Sequence, residues 1–288
     1  MSILRKLFRA SPTPTSDGAF SPSPLAIKLG TSSTTNYDGG DYDTRYKGDT
    51  SKVLMICTQE RNMTMANGKK FSTGNHPVEM GLPMLHLINA GFEIDIVTPT
   101  GAPVAIEMWA MPNDDADVQK LYRDYADAFA NPGSLAEFVA NDMTDVAPYA
   151  AVYIPGGHGA MLGLPDNADV GKALHWAHNQ GLYTLALCHG PAALLAAKDE
   201  DGFLYSGYKM TVFPDSVDKQ TPMIGYLPGP MPWWVCEKLN ALGAQIINKK
   251  ADNSCHVDRR LITGASPQAA NDFGRLAAIT LLASSTAA

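Results

Sequence analysis

The amino-acid sequence predicts an α/β protein, an open, doubly wound sandwich with a mainly parallel central sheet. Two observations support this fold class: apolar runs of strand length alternate with helical patterns, and glycine or proline follows several of these runs. Crossover helices between parallel strands produce such an alternation. Ligands of these sheets bind at the carboxyl ends of the strands, so the residues that follow each strand are the candidates for a functional site.

The composition limits the possible function classes. With 288 residues, of which 45% are hydrophobic, the chain can bury one large core or a core with a small satellite domain. The net charge of -7 argues against a nucleic-acid-binding surface, which needs a basic stripe. No apolar run reaches membrane-spanning length, and the N-terminus lacks the apolar core of a secretory signal. We therefore expect a soluble, cytoplasmic protein with no membrane partner.

The four cysteines are widely spaced and include no C-x-x-C pair. They are Cys57, Cys188, Cys236 and Cys255. This spacing predicts neither a disulfide framework nor a thiolate zinc site, and it fits a reducing compartment.

The N-terminal part of the chain, residues 1–49, is predicted to be an arm. Residues 11 to 50 are rich in Ser, Thr, Pro, Gly and Asp and contain few aliphatic side chains. The arm is either disordered or ordered by lying across the domain or a second subunit, and the sequence leaves both open. Five side chains could anchor it: Phe20, Leu25, Tyr37, Tyr42 and Tyr46.

The main α/β domain is expected over residues 50–288. Strands are predicted at residues 52–57, 92–97, 150–154, 183–187 and 209–213. Helices are predicted at residues 78–90, 114–130, 169–179, 191–197 and 267–282, and a hairpin or strand pair at residues 254–264. The segment at about 109–142 is acidic, helical and longer than one crossover needs, which predicts an inserted cap.

The stretch Tyr183-Thr-Leu-Ala-Leu-Cys188-His189-Gly-Pro191 places a cysteine at a strand-to-helix turn. Pro191 suits the first helical position, because its missing N–H would have no partner there. The N–H groups of such a helix end favour the thiolate, which predicts a reactive cysteine with the layout of the hydrolase nucleophile elbow. The alternative is a buried core thiol, although an apolar strand end would not require the ionisable His189.

Two further motifs should lie at the same edge of the sheet. Glu79 falls in the first turn of a helix that begins near Pro77, where it is either a proton carrier beside the sulfur or a charge that compensates the helix dipole. Gly156 and Gly157 follow the strand at 150–154. Backbone N–H groups there can stabilise an oxyanion, whereas a plain tight turn needs only one glycine.

A pair of aspartates follows the predicted strand at 209–213. Either Asp215 or Asp218 could orient the ring of His189 and stabilise its protonated form, as the third member of a nucleophile, base and orienter set. The ordinary alternative is an aspartate that caps a turn.

Taken in order, these motifs resemble those of the PfpI-type superfamily, and within it the bacterial HchA branch. The likeness covers about residue 38 to the C-terminus. The motifs that carry it are Gly74-Asn-His-Pro-Val-Glu79, Pro155-Gly-Gly-His-Gly159, Leu187-Cys-His-Gly-Pro-Ala192 and Phe213-Pro-Asp-Ser-Val-Asp-Lys-Gln-Thr221. The resemblance implies a flavodoxin-like fold and the activities described for the branch, which are protein deglycase, glyoxalase III and holding chaperone in a stress response.

The resemblance also implies the site residues. By position, they are the nucleophile Cys188, the histidine His189, the aspartate Asp218, the proton carrier Glu79, and an oxyanion pocket at Gly156, Gly157 and the His189 backbone N–H. The resemblance further implies a homodimer and a site without a cofactor. Its substrates would be methylglyoxal and glyoxal or glycated protein side chains, and its chaperone partners unfolded proteins.

The implied chemistry begins with attack of the thiolate on the dicarbonyl aldehyde, which gives a hemithioacetal. Glu79 would isomerise this adduct by moving a proton between adjacent carbons, and hydrolysis of the resulting thioester releases lactate or glycolate. In the deglycase version, the dicarbonyl is first attached to a Cys, Lys or Arg side chain.

One implied feature does not match this sequence. The HchA branch can carry a His, Glu, His metal set, and the matching positions here are Ile88, Glu93 and Tyr125. Only the carboxylate is retained, because isoleucine has no donor atom and tyrosine is an uncommon zinc ligand. His86 could substitute, although a histidine on an apolar helix is more often packed. We expect no bound metal.

Two other functions stay open. A cysteine, a histidine and an aspartate also suit acyl transfer, which would make the chain a cysteine aminopeptidase or amidase restricted to small substrates by the cap. A holding chaperone would instead bind unfolded chains through exposed apolar surface. Candidate runs are Met223-Ile-Gly-Tyr-Leu227 and Met231-Pro-Trp-Trp-Val235, although core or dimer contact is the commoner use of such runs.

Overall fold

A seven-stranded sheet forms the centre of the molecule. The structure is a computed structural model that describes residues 10–49, 51–143 and 149–285. Numbered in chain order, the strands are β1 (Lys52–Ile56), β2 (Glu93–Thr98), β3 (Gly133–Ser134), β4 (Tyr149–Ile154), β5 (Tyr183–Leu187), β6 (Cys255–Asp258) and β7 (Leu261–Gly264). Their order across the sheet is β6-β7-β5-β4-β1-β2-β3, and all neighbours are parallel except β6 and β7. The prediction of a doubly wound, mainly parallel sheet is confirmed.

Helices cover both faces of this sheet. They are α1 (Pro24–Gly30), α2 (Pro77–Asn89), α3 (Ala116–Asp124), α4 (Ala126–Ala130), α5 (Leu135–Glu137), α6 (Ala168–Asn179), α7 (Asp215–Asp218), α8 (Val235–Ala241) and α9 (Ala270–Ser285). One core layer packs α6 against Leu54 and Val152, and the opposite layer packs α2 and α9 against Val53 and Ala151. Successive strand residues thus point to opposite layers, as strands buried on both faces require. None of the described helices is long and apolar enough to cross a membrane.

Most predicted helices agree with these bounds. The predictions at 78–90 and 169–179 correspond to α2 and α6, and residues 254–264 form the antiparallel pair β6 and β7. The single helix predicted at 114–130 is wrong, because Tyr125 leaves the helical conformation and separates α3 from α4. Shorter elements are the strand pair Lys198–Asp199 and Gly202–Phe203, the 3₁₀ helices Met108–Ala110, His158–Met161, Gly190–Ala197, Thr221–Met223 and Pro267–Ala269, and the π-helical turn Phe138–Asp142.

The predicted central strand at 209–213 is also wrong. Only Lys209–Met210 is a strand, and it pairs with Gln245–Ile246 outside the central sheet. Immediately after it, the backbone N–H of Thr211 donates to the hydroxyl of Thr263 at 2.9 Å. A side-chain acceptor therefore takes the place of a neighbouring strand, and an apolar pattern in the sequence does not reveal this difference.

The segment predicted as a cap, residues 109–142, lies mainly beside α2. Val118 and Leu121 of α3 are buried in the same core layer as Met80 of α2, and β3 joins the edge of the sheet. Among its described side chains, Trp109 alone lines the cavity that contains Cys188. Helix α3 thus covers α2, whereas Leu135 and Phe138 pack in the opposite core layer, where the Phe138 ring contacts Trp176 of α6.

The arm lies across the domain. Its first nine residues are outside the described part of the chain. Phe20–Ser21 pairs with Lys70–Phe71 in a second sheet, whose strands in spatial order are Thr13–Pro14, Phe20–Ser21, Lys70–Phe71 and Met63–Thr64. Ser23 caps α1: its hydroxyl accepts a hydrogen bond from the first turn of the helix at 3.0 Å and donates to the carbonyl of Ile224 at 2.7 Å.

Tyrosines fasten the later part of the arm. The hydroxyl of Tyr42 lies 2.7 Å from Nδ1 of His86 in α2, and Nε2 of the same ring lies 2.9 Å from Oδ1 of Asn271 in α9. Tyr46 stacks on Phe92 with ring centroids 4.9 Å apart. Of the two alternatives that the sequence left open, residues 10–49 therefore take the ordered one.

The apolar runs considered for chaperone binding are largely buried. Leu227 and Val235 are each 1% exposed and Met231 is 4% exposed, whereas Met223 is 70% exposed. These runs therefore contribute mainly to the core, and Met223 is their one strongly exposed large side chain among the described residues.

Candidate active site

Cys188 occupies a turn between β5 and the 3₁₀ helix Gly190–Ala197. Its φ angle is 61°, in the left-handed region that residues other than glycine rarely adopt. The Cys188 N–H donates to the carbonyl of Gly264 at 2.8 Å, and the Cys188 carbonyl accepts from the N–H of Phe213 at 2.9 Å. The predicted turn is present, although a 3₁₀ helix and not an α-helix follows it.

Glu79 lies next to the cysteine. Its side chain is fully buried in the first turn of α2, and the hydroxyl of Tyr153 donates to its backbone carbonyl. A Cβ atom on Gly156 would lie 1.7 Å from Oε2 of Glu79 and 2.8 Å from Cβ of Cys188. Because only glycine leaves this space free, Gly156 allows the carboxyl and the thiol to approach each other.

The thiol and the carboxyl compete for a proton. Burial raises the pKa of Glu79 well above its usual value, although the adjacent Cys188 thiol acts in the opposite direction. Burial also raises the pKa of Cys188, and the charge of Glu79 raises it further. The pair therefore retains at least one proton at neutral pH. The N–H groups of the strand-to-helix turn are predicted to favour the thiolate, whereas burial and the charge of Glu79 act against it.

Asp218 contacts two histidines, one of which also lies beside the sulfur. Its Oδ2 lies 2.9 Å from Nε2 of His189, and its Oδ1 lies 3.0 Å from Nε2 of His158. The second ring nitrogen of His189, Nδ1, lies 3.4 Å from Sγ of Cys188. Asp215, the other aspartate left open by the sequence, accepts backbone hydrogen bonds from α8 instead. Cys188, His189 and Asp218 thus form one continuous set.

Asp218 and the two histidines that it contacts differ in how readily they bind a proton. Burial alone would raise the pKa of Asp218, but His189 and His158 outweigh it and hold that pKa well below its usual value. Burial alone would lower the pKa of His158, but Asp218 outweighs it and raises that pKa. Burial and the charge of His158 lower the pKa of His189. His158 is therefore the more readily protonated of the two rings that face Asp218, and His189, beside the sulfur, is the less readily protonated one.

The turn at residues 156–157 faces the thiol and the carboxyl. Gly157 has a φ angle of 97°, and a Cβ atom there would lie 2.5 Å from the carbonyl oxygen of Gly74. Its backbone N–H lies towards Cys188 and Glu79 and acts to lower the pKa of both groups. A backbone donor is therefore aimed at the reacting atoms. The oxyanion role of this N–H and that of His189 stays a prediction.

A second buried carboxyl, that of Glu107, borders the site and is not predicted from the sequence. Its Oε1 accepts a hydrogen bond from the hydroxyl of Thr73 at 2.6 Å, and its backbone N–H donates to the carbonyl of Asn75 at 3.0 Å. Burial raises the pKa of Glu107 to about 7, and the charge of His158 acts in the opposite direction. The signal in the sequence is a single acid within the otherwise apolar run 104–110.

These groups line one cavity of about 520 Å³. His76 also lines it, and burial followed by the charge of His158 lowers the pKa of His76 to about 3. Trp109 and Tyr226 form an aromatic wall, with ring centroids 5.5 Å apart. Helix α1 of the arm contributes Leu29, which is 65% exposed. The thiol is thus buried, but it borders a space large enough for a small substrate.

The expected metal positions do not form a ligand set. Ile88 has no donor atom, and His86 already contacts Tyr42 and Asn271 through its two ring nitrogens. Glu93 is exposed on β2, and Tyr125 ends α3. The residues therefore do not fit the metal that the branch can carry.

A different group, outside these positions, has the spacing of a metal site. Within the described ranges, His158, His189 and Asp218 have possible ligand atoms that all lie within 4.8 Å of one another. Both Asp218 oxygens are already engaged by the two rings, so hydrogen bonding accounts for this arrangement.

Comparison with curated proteins finds relatives that match almost the whole chain. "Protein/nucleic acid deglycase HchA" of Pseudomonas aeruginosa (strain UCBPP-PA14) is 48% identical over 281 residues, which cover 94% of this chain and 96% of the relative. "Protein/nucleic acid deglycase 1" of Escherichia coli (strain K12) is 46% identical over 267 residues, which cover 93% of each.

Solved structures with a similar fold and a protein-family model also match this chain. Glyoxalase III from Candida albicans superimposes with a TM-score of 0.62 at 25% identity, covering 81% of this chain and 98% of that protein. The Rapid Encystment Protein of 24 kDa from Francisella tularensis has a TM-score of 0.69 at 24% identity over 80% of this chain and 99% of its own, which shows the shared fold. The DJ-1/PfpI family matches residues 70–278. This chain therefore belongs to the DJ-1/PfpI family.

Proposed function

We propose that this chain is a protein deglycase with glyoxalase III activity. It converts methylglyoxal to lactate and releases lactate or glycolate from glycated Cys, Lys and Arg side chains, using its own side chains without a cofactor. The observation that carries the proposal is the close placement of the Cys188 thiol and the Glu79 carboxyl around Gly156. The names of the relatives, deglycase and glyoxalase III, support it.

The first step is attack of the sulfur on the aldehyde carbon. Glu79 holds the proton that the thiol gives up, so the sulfur is a thiolate when it forms the C–S bond. The backbone N–H of Gly157 and that of His189 stabilise the oxygen anion, which takes up the proton to give the hemithioacetal. His189 faces the sulfur through Nδ1 at 3.4 Å and is oriented through Nε2 by Asp218.

The second step moves a hydrogen between adjacent carbons. The Glu79 carboxylate, now without its proton, removes the proton from the carbon bound to sulfur and returns it to the neighbouring carbon. This internal oxidation and reduction converts the hemithioacetal to a thioester without an external oxidant. A buried carboxyl with a raised pKa suits this task, because it is a stronger base than an exposed one and water does not compete for its proton.

The proposal is tested with Cys188→Ala and a second cysteine variant. Cys188→Ala is expected to lower kcat/KM for methylglyoxal more than about a thousandfold, because it removes the nucleophile. Cys255→Ala, which changes a half-buried cysteine on β6, is expected to leave kcat/KM unchanged. Turnover by Cys188→Ala at the rate of the unaltered enzyme would reject the proposal.

A glycated peptide and an unmodified peptide distinguish the deglycase from the peptidase. The cysteine enzyme proposed here releases lactate from a methylglyoxal-treated peptide and does not cleave casein or short fluorogenic peptides. Cleavage of the unmodified peptides that depends on Cys188 would favour the amidase alternative.

The assembly and the division of the chain belong to the same proposal. From the family resemblance, we propose a cytoplasmic homodimer with an arm over residues 1–49 and one α/β domain over residues 50–288. Light scattering of the purified protein is expected to give twice the chain mass of 30.8 kDa. A mass of one chain at micromolar concentration would contradict the homodimer.

A further inference from the structure

We infer that Glu107 is a further catalytic residue, whose carboxylate accepts a proton from the water that hydrolyses the Cys188 thioester. This inference rests on the proposed function, because it assigns the third step of that reaction. The first two steps leave an acyl group on sulfur, and its hydrolysis needs a group that accepts a proton from water.

Glu107 lies at the cavity in which the acyl-enzyme would form. It is 1% exposed, and it lines the same cavity as Cys188. The hydroxyl of Thr73 holds Oε1 at 2.6 Å, and the backbone N–H groups of Gly74 and His158 lie towards the carboxyl and lower its pKa. Oε2 makes no hydrogen bond of regular geometry with the described residues. A buried carboxylate oxygen without a partner is costly, and a bound water in the cavity would satisfy it.

The neighbouring histidines are occupied or too weak for this task. His189 uses Nδ1 towards the sulfur and Nε2 towards Asp218. His158 pairs with Asp218, which raises the pKa of His158. His76 has a free Nδ1 atom, but its lowered pKa makes it a poor base. Among the described residues that line the cavity, Glu107 is therefore a second carboxyl, besides Glu79, that combines an oxygen without a partner with useful basicity.

The step balances as an ordinary thioester hydrolysis. The water oxygen forms a bond with the acyl carbon while its proton passes to Oε2 of Glu107. The C–S bond then breaks, the electron pair leaves with the Cys188 sulfur, and the acid is released as lactate. Glu107 returns the proton to the Cys188 and Glu79 pair, which restores the starting enzyme. No oxidant or further reactant is consumed.

The charged and titratable groups that face Glu107 determine its pH dependence. His158 lowers its pKa, while Glu79 and Tyr226 are coupled to it through charge. Burial is the largest influence and raises the pKa of Glu107 to about 7. Hydrolysis of the acyl-enzyme is therefore expected to accelerate as the pH rises through about 7 and to level off above it.

The experiment traps the acyl-enzyme in Glu107→Gln. When this variant is mixed with methylglyoxal, one equivalent is expected to be consumed rapidly, and kcat is expected to fall on the order of 10² to 10⁴-fold. A lactoyl thioester should accumulate on Cys188. Its mass equals that of the hemithioacetal, so the assay measures lactohydroxamate, which hydroxylamine forms from the thioester and not from the hemithioacetal or from methylglyoxal.

Glu137→Gln, which changes an exposed carboxyl on α5, is the matched control and is expected to turn over without accumulating thioester. Thr73→Val keeps the carboxyl and removes the hydroxyl that lowers its pKa, so the pH midpoint of acyl-enzyme hydrolysis should move upward. If Glu107→Gln does not fold, this shift is the deciding measurement. An unchanged midpoint in Thr73→Val, or wild-type kcat in Glu107→Gln, overturns the inference.

Failure of the inference and failure of the proposed function give different results. If Cys188→Ala is inactive and Glu107→Gln is fully active, the function stands and the assignment of Glu107 is wrong. If Cys188→Ala is fully active, the proposed function itself is wrong, and no thioester should be trapped in any variant.

Discussion

Glu79 is a carboxyl group that the surrounding residues keep from ionising freely. It is fully buried, and burial is the main reason that its pKa is raised. A surface glutamate would be ionised at neutral pH, and its negative charge would repel a thiolate next to it. Burial therefore allows the carboxyl to hold the proton while Cys188 attacks, and to act as a base afterwards.

Replacement of Glu79 by glutamine is expected to separate attack from proton transfer. The amide preserves the shape beside Gly156 but cannot accept a proton from carbon, so methylglyoxal turnover should fall on the order of 10² to 10⁴-fold. Cys188 should still form the hemithioacetal, measured as reversible protection of the thiol from alkylation. Turnover within a few-fold of the unaltered enzyme would contradict the role of Glu79.

Gly156 is expected to tolerate no side chain. A Cβ atom there would lie 1.7 Å from Oε2 of Glu79 and 2.8 Å from Cβ of Cys188, so Gly156→Ala must displace the carboxyl or the thiol. We expect at least about a hundredfold loss of kcat/KM from such a misplacement. Gly81→Ala, in the same helix as Glu79, is the control, because its nearest neighbour would be at 3.5 Å. Equal activity of the two variants would contradict the steric argument.

Single site residues can be predicted from the sequence where a short local motif indicates their chemistry. Cys188 stands at a strand end, and Gly156 follows another strand. Glu107 is not predicted, because its importance depends on the docking of residues 104–110 against Asn75. That contact joins segments distant in the sequence, and no local pattern encodes it.

Among the secondary-structure elements, helix α1 illustrates how a short segment gains order. Seven residues are too few for a stable helix in water. Ser23 compensates by capping the helix and by bonding to the carbonyl of Ile224, which ties the helix to the wall of the cavity. The order of α1 is therefore a consequence of docking.

Ser23→Ala is expected to loosen α1 selectively. Loss of the cap and of the bond to Ile224 should cost about 1 to 2 kcal/mol, enough to raise amide exchange in residues 24–30 roughly tenfold. Hydrogen exchange with mass spectrometry measures this effect, and exchange in β4 and β5 should stay unchanged. The control is Ser32→Ala, which alters an exposed residue beyond the helix. Equal exchange in the two variants would show that docking does not depend on Ser23.

Central strands are predicted well because burial on both faces leaves continuous apolar runs, as in β4 and β5. Strands of two residues are not, since Gly133–Ser134 and Phe20–Ser21 are too short to show a period. Residues 209–213 show the opposite error: the run is apolar, but Thr263 and not a strand satisfies its backbone. Pairing with a specific partner is long-range information.

For the whole molecule, a buried carboxyl links stability to pH. The pKa of Glu107 is about 7 in the folded chain, against 4.5 for the free side chain. The folded state therefore binds this proton more tightly than the unfolded state does. Its contribution to stability is fully present below pH 4.5, is lost as the pH rises to about 7, and is constant above that.

Glu107→Gln is expected to abolish this pH-dependent loss of stability, because the glutamine amide is uncharged at both pH 4.5 and pH 8. The variant should gain about 3 kcal/mol in unfolding free energy relative to the unaltered protein between pH 4.5 and pH 8. Denaturant unfolding at the two pH values measures the change. Thr73→Val retains the carboxyl and should retain the loss. A difference between Glu107→Gln and the unaltered protein that is equal at both pH values would contradict the prediction.

At the same scale, the overall architecture follows from the alternating pattern of the sequence, whereas the position of the arm does not. Polar composition leaves residues 10–49 free to be ordered or disordered, and the anchors Tyr42 and Tyr46 have defined partners only after the domain has formed. The arm then supplies part of the cavity wall through Leu29.

The pairing of Phe20–Ser21 with Lys70–Phe71 has a practical consequence. The Phe71 ring contacts the rings of Trp109 and Tyr226, which line the cavity. Loss of the Phe20–Ser21 strand would therefore disturb the cavity wall through Phe71. Substitutions that break this strand pairing are thus expected to raise KM through the aromatic wall.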